Sequence, residues 1–106
     1  MVSFNLRLED TYWSKGFFNV PVDFERFLTT RDGMIDILVG DAAKPLAGRI
    51  DRTANRNATP RVFGNKALAE FFQQLRRGAL VSVEIVSPTA VRISRLSRTT
   101  AEITNQ

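Results

Sequence analysis

The sequence contains no cysteine and no histidine among its 106 residues. Without cysteine the chain forms no disulfide bonds, so the hydrophobic core has to supply its stability, and we expect an intracellular, cytoplasmic protein. The same absences exclude a Ser-His-Asp or Cys-His nucleophile and a metal site built from thiolates or imidazoles. We therefore expect no cofactor, and no enzymatic activity from this chain alone.

Long apolar runs are also missing, and none approaches the ~20 residues of a membrane-spanning helix. The N-terminal residues lack a basic segment followed by an apolar core, so we expect neither a signal peptide nor a membrane partner. The composition is that of an ordinary globular protein, 43% hydrophobic and 25% charged, and its length suits one domain with a single core. We assign that domain to residues 1–96 and interpret residues 97–106 as a C-terminal tail or linker.

Carboxylates remain available for a Mg²⁺-dependent nuclease, whose usual pattern is an acid followed by an acid-x-lysine triplet. The nearest match is Asp36 with Asp41 and Lys44, but the last two are one residue too far apart for this pattern. The stretch "DAAKP" is better interpreted as a polar hairpin turn. A nuclease is therefore the function that the sequence favours least.

Positive charge is concentrated in the second half of the chain. Residues 1–48 carry a net charge of −2 and residues 49–106 carry +6, and twelve of the fifteen cations are arginine. Arginine binds phosphates and guanine edges through two parallel hydrogen bonds, which favours a polyanionic partner. Because solubility also accounts for a modest net charge, charge alone leaves both explanations open.

Alternation of apolar and polar residues predicts several short strands. In "SFNLRLED" the side chains of Phe4, Leu6 and Leu8 share one face. "FFNVP", "RVFG" and "AVRISRL" are three further short strands. Together with the three sets named at the end of this paragraph, they make six or seven strands around one small core. We predict a mainly β fold with two short helices, a seven-stranded open or pseudo β-barrel, because closure removes unpaired edges. The same spacing recurs in three further sets: Ile35, Ile37 and Val39; Leu46, Gly48 and Ile50; and Val81, Val83 and Ile85.

Two segments carry helical spacing. "VDFERFL" places Phe24, Phe27 and Leu28 on one side of a short helix, and "KALAEFFQQL" does the same for a longer one. We predict that Asn65 caps the longer helix and that Gly78 ends it. Its buried stripe consists of Leu68, Phe71, Phe72 and Leu75.

The order of these pieces resembles the DNA-binding pseudobarrel family. Its members include the plant B-three-type domains and the effector domains of EcoRII-like and BfiI-like restriction endonucleases. The resemblance runs through "FNLRLED", "TYWSKG", "FNVP", "VDFERFL", "MIDILVG", "LAGRID", "RTANRNATP", "RVFGNKALAEFF" and "LRRGALVSVEI", covering roughly residues 4 to 93. The Gly-Trp and Gly-Asp pairs of the plant domains are replaced by Gly64-Asn65 and Gly78-Ala79, so the bacterial effector domains are the better match.

The resemblance implies double-stranded DNA as the partner, gripped in the major groove by two arms. The first arm here is residues 11–15 and the second arm is residues 49–61. It further implies a recognition module of a restriction-modification or regulatory system, with a nuclease domain or subunit as a second candidate partner. The implied DNA-binding residues are Tyr12, Trp13, Ser14, Lys15, Arg49, Arg52, Asn55, Arg56, Asn57, Thr59 and Arg61.

Within the second arm the residue types suggest a division of labour. Arginines, together with Lys15, supply a salt-dependent and sequence-independent hold on phosphates. Asn55, Arg56, Asn57 and Arg52 supply base discrimination, since asparagine pairs with adenine and arginine with guanine.

Simpler interpretations stay open at this stage. The second arm also reads as a solvated loop, in which asparagine and threonine satisfy turn geometry. Trp13 is equally suited to packing and to contact. The alternative functions are a protein-interaction barrel with an acidic partner, and an RNA or single-strand binder that stacks bases on Tyr12 and Trp13.

Overall fold

The structure is a computed structural model that describes residues 2–54 and 59–96. The tail proposed for residues 97–106 lies outside the described residues. None of the helices in the described part of the chain is long and apolar enough to span a bilayer. Within the described ranges the elements are, in order, β1 Val2–Arg7, α1 Asp10–Lys15, β2 Phe17–Asn19, a 3-10 helix Val22–Phe27, β3 Gly33–Val39, β4 Leu46–Asp51, β5 Arg61–Phe63, α2 Asn65–Phe72, β6 Leu80–Ser87 and β7 Ala90–Arg95.

All seven described strands belong to one sheet in the order β1-β6-β7-β3-β4-β5-β2. Strands β3 and β7 pair in parallel, and each of the other neighbouring pairs is antiparallel. The sheet curls into a half-barrel, with β1 and β2 as its two edges. The predicted fold class, a mainly β open barrel with short helices, is confirmed.

The core lies inside the curl and follows the predicted alternation. In β1, Phe4 and Leu6 are buried while Asn5 and Arg7 are exposed, and Leu8 continues the buried series beyond the strand. Burial of side chains of this size supplies about 1.5–3 kcal/mol each. The residues with no measurable exposure include Phe18, Ile37, Ile50, Val62, Leu68, Phe72, Val81, Val83, Val91 and Ile93.

The helix α2 differs from its prediction at both ends. Gly64 occupies the cap position, and Asn65 already lies inside the helix at φ 52° without a capping bond from its side chain. The helix ends at Phe72 and not at Gly78, because Leu75 donates its N–H to the Phe72 carbonyl and so tightens the chain into a turn. Leu68 and Phe72 are buried as predicted, whereas Phe71 and Leu75 of the same stripe are half-buried.

The shorter predicted helix is present as the 3-10 helix. Its geometry is visible in the bond from the Phe24 N–H to the Pro21 carbonyl, at 2.9 Å. Phe24 packs against Phe4, with 5.1 Å between the ring centroids, and Leu28 is buried at the end of the helix. The helix therefore covers one open part of the curled sheet, next to edge strand β1.

Candidate nucleic-acid interface

The outer surface of β4, β5 and β2 carries two rows of side chains set by strand pairing. Arg49 pairs with Phe63, and Phe63 pairs with Phe17, which gives the first row. The second row runs through Asp51, Arg61 and Asn19. The residues between them in sequence point into the core, so both rows face outward. Together with Tyr12 we call this surface the arginine–aromatic face: Tyr12, Phe17, Asn19, Arg49, Asp51, Arg61 and Phe63.

Arg49 lies over an aromatic ring of this face. Its guanidinium carbon is 4.7 Å from the centroid of the Phe63 ring, and one terminal nitrogen lies 3.0 Å from the Asp51 carboxylate. The Arg49 side chain is still 54% exposed. A stacked guanidinium has a fixed orientation, which lowers the entropy lost when it forms hydrogen bonds to a phosphate or a base edge.

Arg61 repeats the same geometry on the neighbouring strand. Its guanidinium carbon is 4.7 Å from the centroid of the Phe17 ring, and its Nε donates to the Asn19 Oδ1 at 2.8 Å. The Phe17 and Phe63 rings are themselves in contact, with centroids 5.6 Å apart. Two arginines are thus fixed side by side on a pair of aromatic rings.

Tyr12 connects the first arm to this face. Its ring meets Phe17 edge to face at 5.5 Å, and its hydroxyl accepts a hydrogen bond from the Asn19 N–H at 3.3 Å. Residues from both predicted arms therefore meet on one surface.

The first arm is helical, which the sequence pattern does not predict. Residues 10–15 form α1, which packs against α2. Gly16 allows this contact: at φ 75° it ends α1, and a Cβ atom there would lie 2.1 Å from the Asn65 carbonyl oxygen.

Within α1 the remaining predicted contact residues face different environments. Trp13 is half-buried and donates its Nε1–H to the Leu75 carbonyl at 3.0 Å, so it anchors α1. Ser14 is exposed and donates to the Asp10 carbonyl at 2.8 Å. Lys15 is exposed in the last turn of α1.

Arg52 faces inward, unlike Arg49. Its side chain is 16% exposed, and its Nη1 lies 2.6 Å from the Glu25 carboxylate. Its Nε donates to the Thr29 carbonyl at 2.8 Å. Nη2 donates to the carbonyls of Glu25 and Leu28 at 2.9 and 3.2 Å. These carbonyls lie in the last turn of the 3-10 helix and just after it, so Arg52 fastens the start of the second arm to that helix. In this position its donors are directed away from solvent.

Asp51 stabilises the turn that starts the second arm. Its Oδ1 accepts hydrogen bonds from the hydroxyl and the backbone N–H of Thr53, both at 2.7 Å. These bonds, together with the bond from Arg49, lower the pKa of Asp51 from 3.8 to about 2. The carboxylate is therefore charged at neutral pH and holds both the turn and Arg49 in place.

The far end of the second arm is buried beside the first arm. Thr59 is 8% exposed. It lines a cleft of about 420 Å³ together with Leu6, Tyr12, Asn19, Val20, Pro21 and Val22. The predicted contact residues Asn55, Arg56 and Asn57 lie outside the described residues.

Sequence reasoning missed the aromatic half of this face. The sequence pattern assigns Phe17 and Phe63 only to short strands and indicates no role for Asn19. A signal was present, because each phenylalanine adjoins a buried residue, Phe18 or Val62, and so has to point out of the core. An aromatic residue at an outward strand position next to an arginine-rich segment is a pattern that predicts such a surface.

The acidic residues of the alternative nuclease pattern belong to neighbouring elements of the fold. Asp36 lies in β3 and Asp41 in the turn that follows it. Among residues 2–54 and 59–96, no three or more acidic side chains come together as metal ligands would.

These features define the class of the structure as a curled seven-stranded half-barrel with an arginine–aromatic outer face. No known protein family and no curated protein matches the sequence. Among solved structures, the chain is similar to the N-terminal domain of Helicobacter pylori LlaJI.R1, with a TM-score of 0.68. The superposition covers 97% of this chain and 88% of that domain at 10% sequence identity, and it establishes a shared fold.

Proposed function

We propose that this chain binds double-stranded DNA through the arginine–aromatic face and the adjoining second arm. The observation that carries the proposal is the pair of arginines, Arg49 and Arg61, each held over a phenylalanine ring on neighbouring strands. Fixed guanidinium groups on an outer surface suit the phosphate oxygens of a nucleic acid backbone. Phosphate contacts of this kind position a protein on DNA without reading its sequence.

We assign the recognition of the DNA base sequence to the second arm. The chain leaves the face after Arg49 and Asp51 and returns to it at Arg61, so residues 52–60 are attached to the proposed phosphate-binding surface at both ends. Asn55, Arg56 and Asn57 keep the role predicted from their chemistry, since amide and guanidinium groups recognise base edges. Arg52 is reassigned from base contact to positioning, because its guanidinium is bonded to the 3-10 helix.

The biological use that we propose is target recognition in a restriction-modification or regulatory system, with catalysis supplied by another domain or subunit. Support comes from the shared fold with the N-terminal domain of LlaJI.R1, whose name marks a restriction-system component. Membership of the DNA-binding pseudobarrel family stays a prediction from the sequence. The bond from Trp13 to the Leu75 carbonyl and its half-burial favour duplex binding over a single-strand binder that stacks bases on this ring.

A fluorescence anisotropy titration with a labelled random-sequence duplex tests the hold on DNA. We expect binding at ~50 mM salt and a log K that falls linearly with log salt, by about 0.9 for each phosphate contact. Replacing Arg49 with alanine should weaken binding and flatten this slope by about one unit. Arg26→Ala is the matched control, because Arg26 also stacks on a phenylalanine, Phe27 at 4.9 Å, but lies in the 3-10 helix and not on the face.

Failure to bind at ~50 mM salt would refute the proposal, since electrostatic contacts are strongest there. If Arg49→Ala and Arg26→Ala lose the same affinity for the duplex, the arginine–aromatic face is not the surface that binds DNA. Competition with heparin separates duplex recognition from general attraction to acidic partners, because heparin should displace a random duplex more readily than a selected one. Selection from a random duplex library should yield a consensus site, and its absence would leave only nonspecific binding.

A further inference from the structure

The cleft beside Thr59 lies where the barrel fails to close. Strands β1 and β2 are the two edges of the sheet, and the cleft is lined by Leu6 from β1 and by Asn19 from β2. We call this space of about 420 Å³ the seam cleft. Its size falls within the range of small-molecule sites in proteins.

The walls of the seam cleft combine apolar surfaces with polar groups. Leu6 and Val20 are buried at 7% and 1% exposure, whereas Val22 is 67% exposed and stands at the rim. The polar residues that line it are Tyr12, Asn19 and Thr59. A flat ring with apolar faces and a hydrogen-bonding edge matches this distribution, and edge strands also present backbone donors and acceptors to such an edge.

The surroundings indicate which flat ring reaches the cleft. Tyr12 and Asn19 belong both to the seam cleft and to the arginine–aromatic face, and Asn19 is bonded to Arg61 at 2.8 Å. A nucleic acid backbone held by Arg61 would place a nucleotide beside the opening. We propose that the seam cleft binds one unstacked DNA base, taken out of a duplex that is bound on the adjoining face; this inference rests on the proposed function.

A mismatched duplex tests the inference, because extruding a base costs least where it is not paired. Anisotropy titrations would compare a fully matched duplex with the same duplex carrying one central mismatch. We expect the mismatched duplex to bind about tenfold more tightly to the unaltered protein. Val22→Trp, which fills the rim of the cleft, should abolish this preference and leave matched binding unchanged. Val86→Trp is the control, since Val86 is also exposed, at 49%, but lies on β6 away from the cleft.

A second variant keeps the test valid if the tryptophan disturbs the fold. Tyr12→Phe removes one hydroxyl from the cleft, and it should reduce the mismatch preference about threefold, as expected for one hydrogen bond. Equal affinity for matched and mismatched duplexes would overturn the inference and leave the proposed function standing. A preference that persists in both cleft variants would also overturn it, because the mismatch would then be read elsewhere. If the unaltered protein binds neither the matched nor the mismatched duplex, the proposed function itself is contradicted.

Discussion

The two arms of this protein are attached to the barrel in opposite ways. In the first arm the aromatic side chains belong to the arm itself and reach back to the body, as Trp13 does when it bonds the Leu75 carbonyl. In the second arm the aromatic rings belong to the sheet, and the arginines of the arm lie on them, as Arg49 lies on Phe63. The first arrangement packs the arm against the body through Trp13, and the second leaves Arg49 at the surface.

The same contrast separates two arginines three residues apart in the second arm. Arg49 is 54% exposed and stacked on a ring, whereas Arg52 is 16% exposed and bonded to the 3-10 helix. Cationic side chains close together in sequence therefore have different surroundings, one facing solvent and one supporting the loop. The difference between the arms can be tested by removing what holds each of them.

The largest effect is expected at Gly16, which holds the first arm against α2. Gly16→Ala should lower the free energy of unfolding by about 3 kcal/mol or more, since it combines backbone strain at φ 75° with a contact of 2.1 Å to the Asn65 carbonyl oxygen. Gly40→Ala is the matched control, because Gly40 also has a positive φ of 58° but has open space around it. The control should lose about 1 kcal/mol from strain alone.

Urea denaturation followed by circular dichroism would measure both losses. Similar losses for the two variants would mean that strain and not the fit between α1 and α2 makes Gly16 necessary. The first arm would then be held less tightly than its contacts indicate.

The next effect concerns the two arginines of the second arm. Arg52→Ala should cost about 2 kcal/mol of stability, because it leaves Glu25 and three carbonyls without this donor. Arg49→Ala should change stability by less than about 0.5 kcal/mol, as is usual for an exposed ion pair. In DNA binding we expect the larger effect from the other variant: Arg49→Ala should flatten the dependence of log K on log salt, and Arg52→Ala should not. A flattened slope for Arg52→Ala at a temperature where it remains folded would return Arg52 to the DNA-contacting residues.

Strand alternation explains why much of the fold was predictable from the sequence. Residues such as Ile35 and Ile37 face the core because side chains alternate across a strand, and this local rule needs no knowledge of the partner strands. The conformation of residues 10–15 depends instead on α2, which begins fifty residues after α1 ends.

The arginine–aromatic face was only half predictable for the same reason. Arg49 and Arg61 stand out by composition, but the pairing of β4 with β5 and of β5 with β2 decides which rings they meet. The inward course of Arg52 likewise depends on the position of the 3-10 helix. Residue types indicated the chemistry of the surface, and long-range pairing determined its geometry.

The smallest effect is expected on the pKa of Asp51, at the start of the second arm. The pKa of Asp51, lowered to about 2, should rise toward 3.8 in Thr53→Val, because the Thr53 hydroxyl no longer donates to the carboxylate. NMR titration of the Asp51 carboxyl carbon would follow this change. Thr30→Val is the control, since Thr30 lies in the loop before β3, outside this turn.

The lowered pKa also sets the sign of the pH dependence of stability. A carboxylate with a lower pKa in the folded state stabilises the protein above pH 3.8, and this contribution is lost as the pH falls toward 2. The stability difference between the unaltered protein and Asp51→Asn should therefore be constant above pH 5 or so and shrink below it. A difference that stays constant down to pH 2 would show that the Asp51 turn forms without its charge. The second arm would then start from a turn that is held by backbone geometry alone.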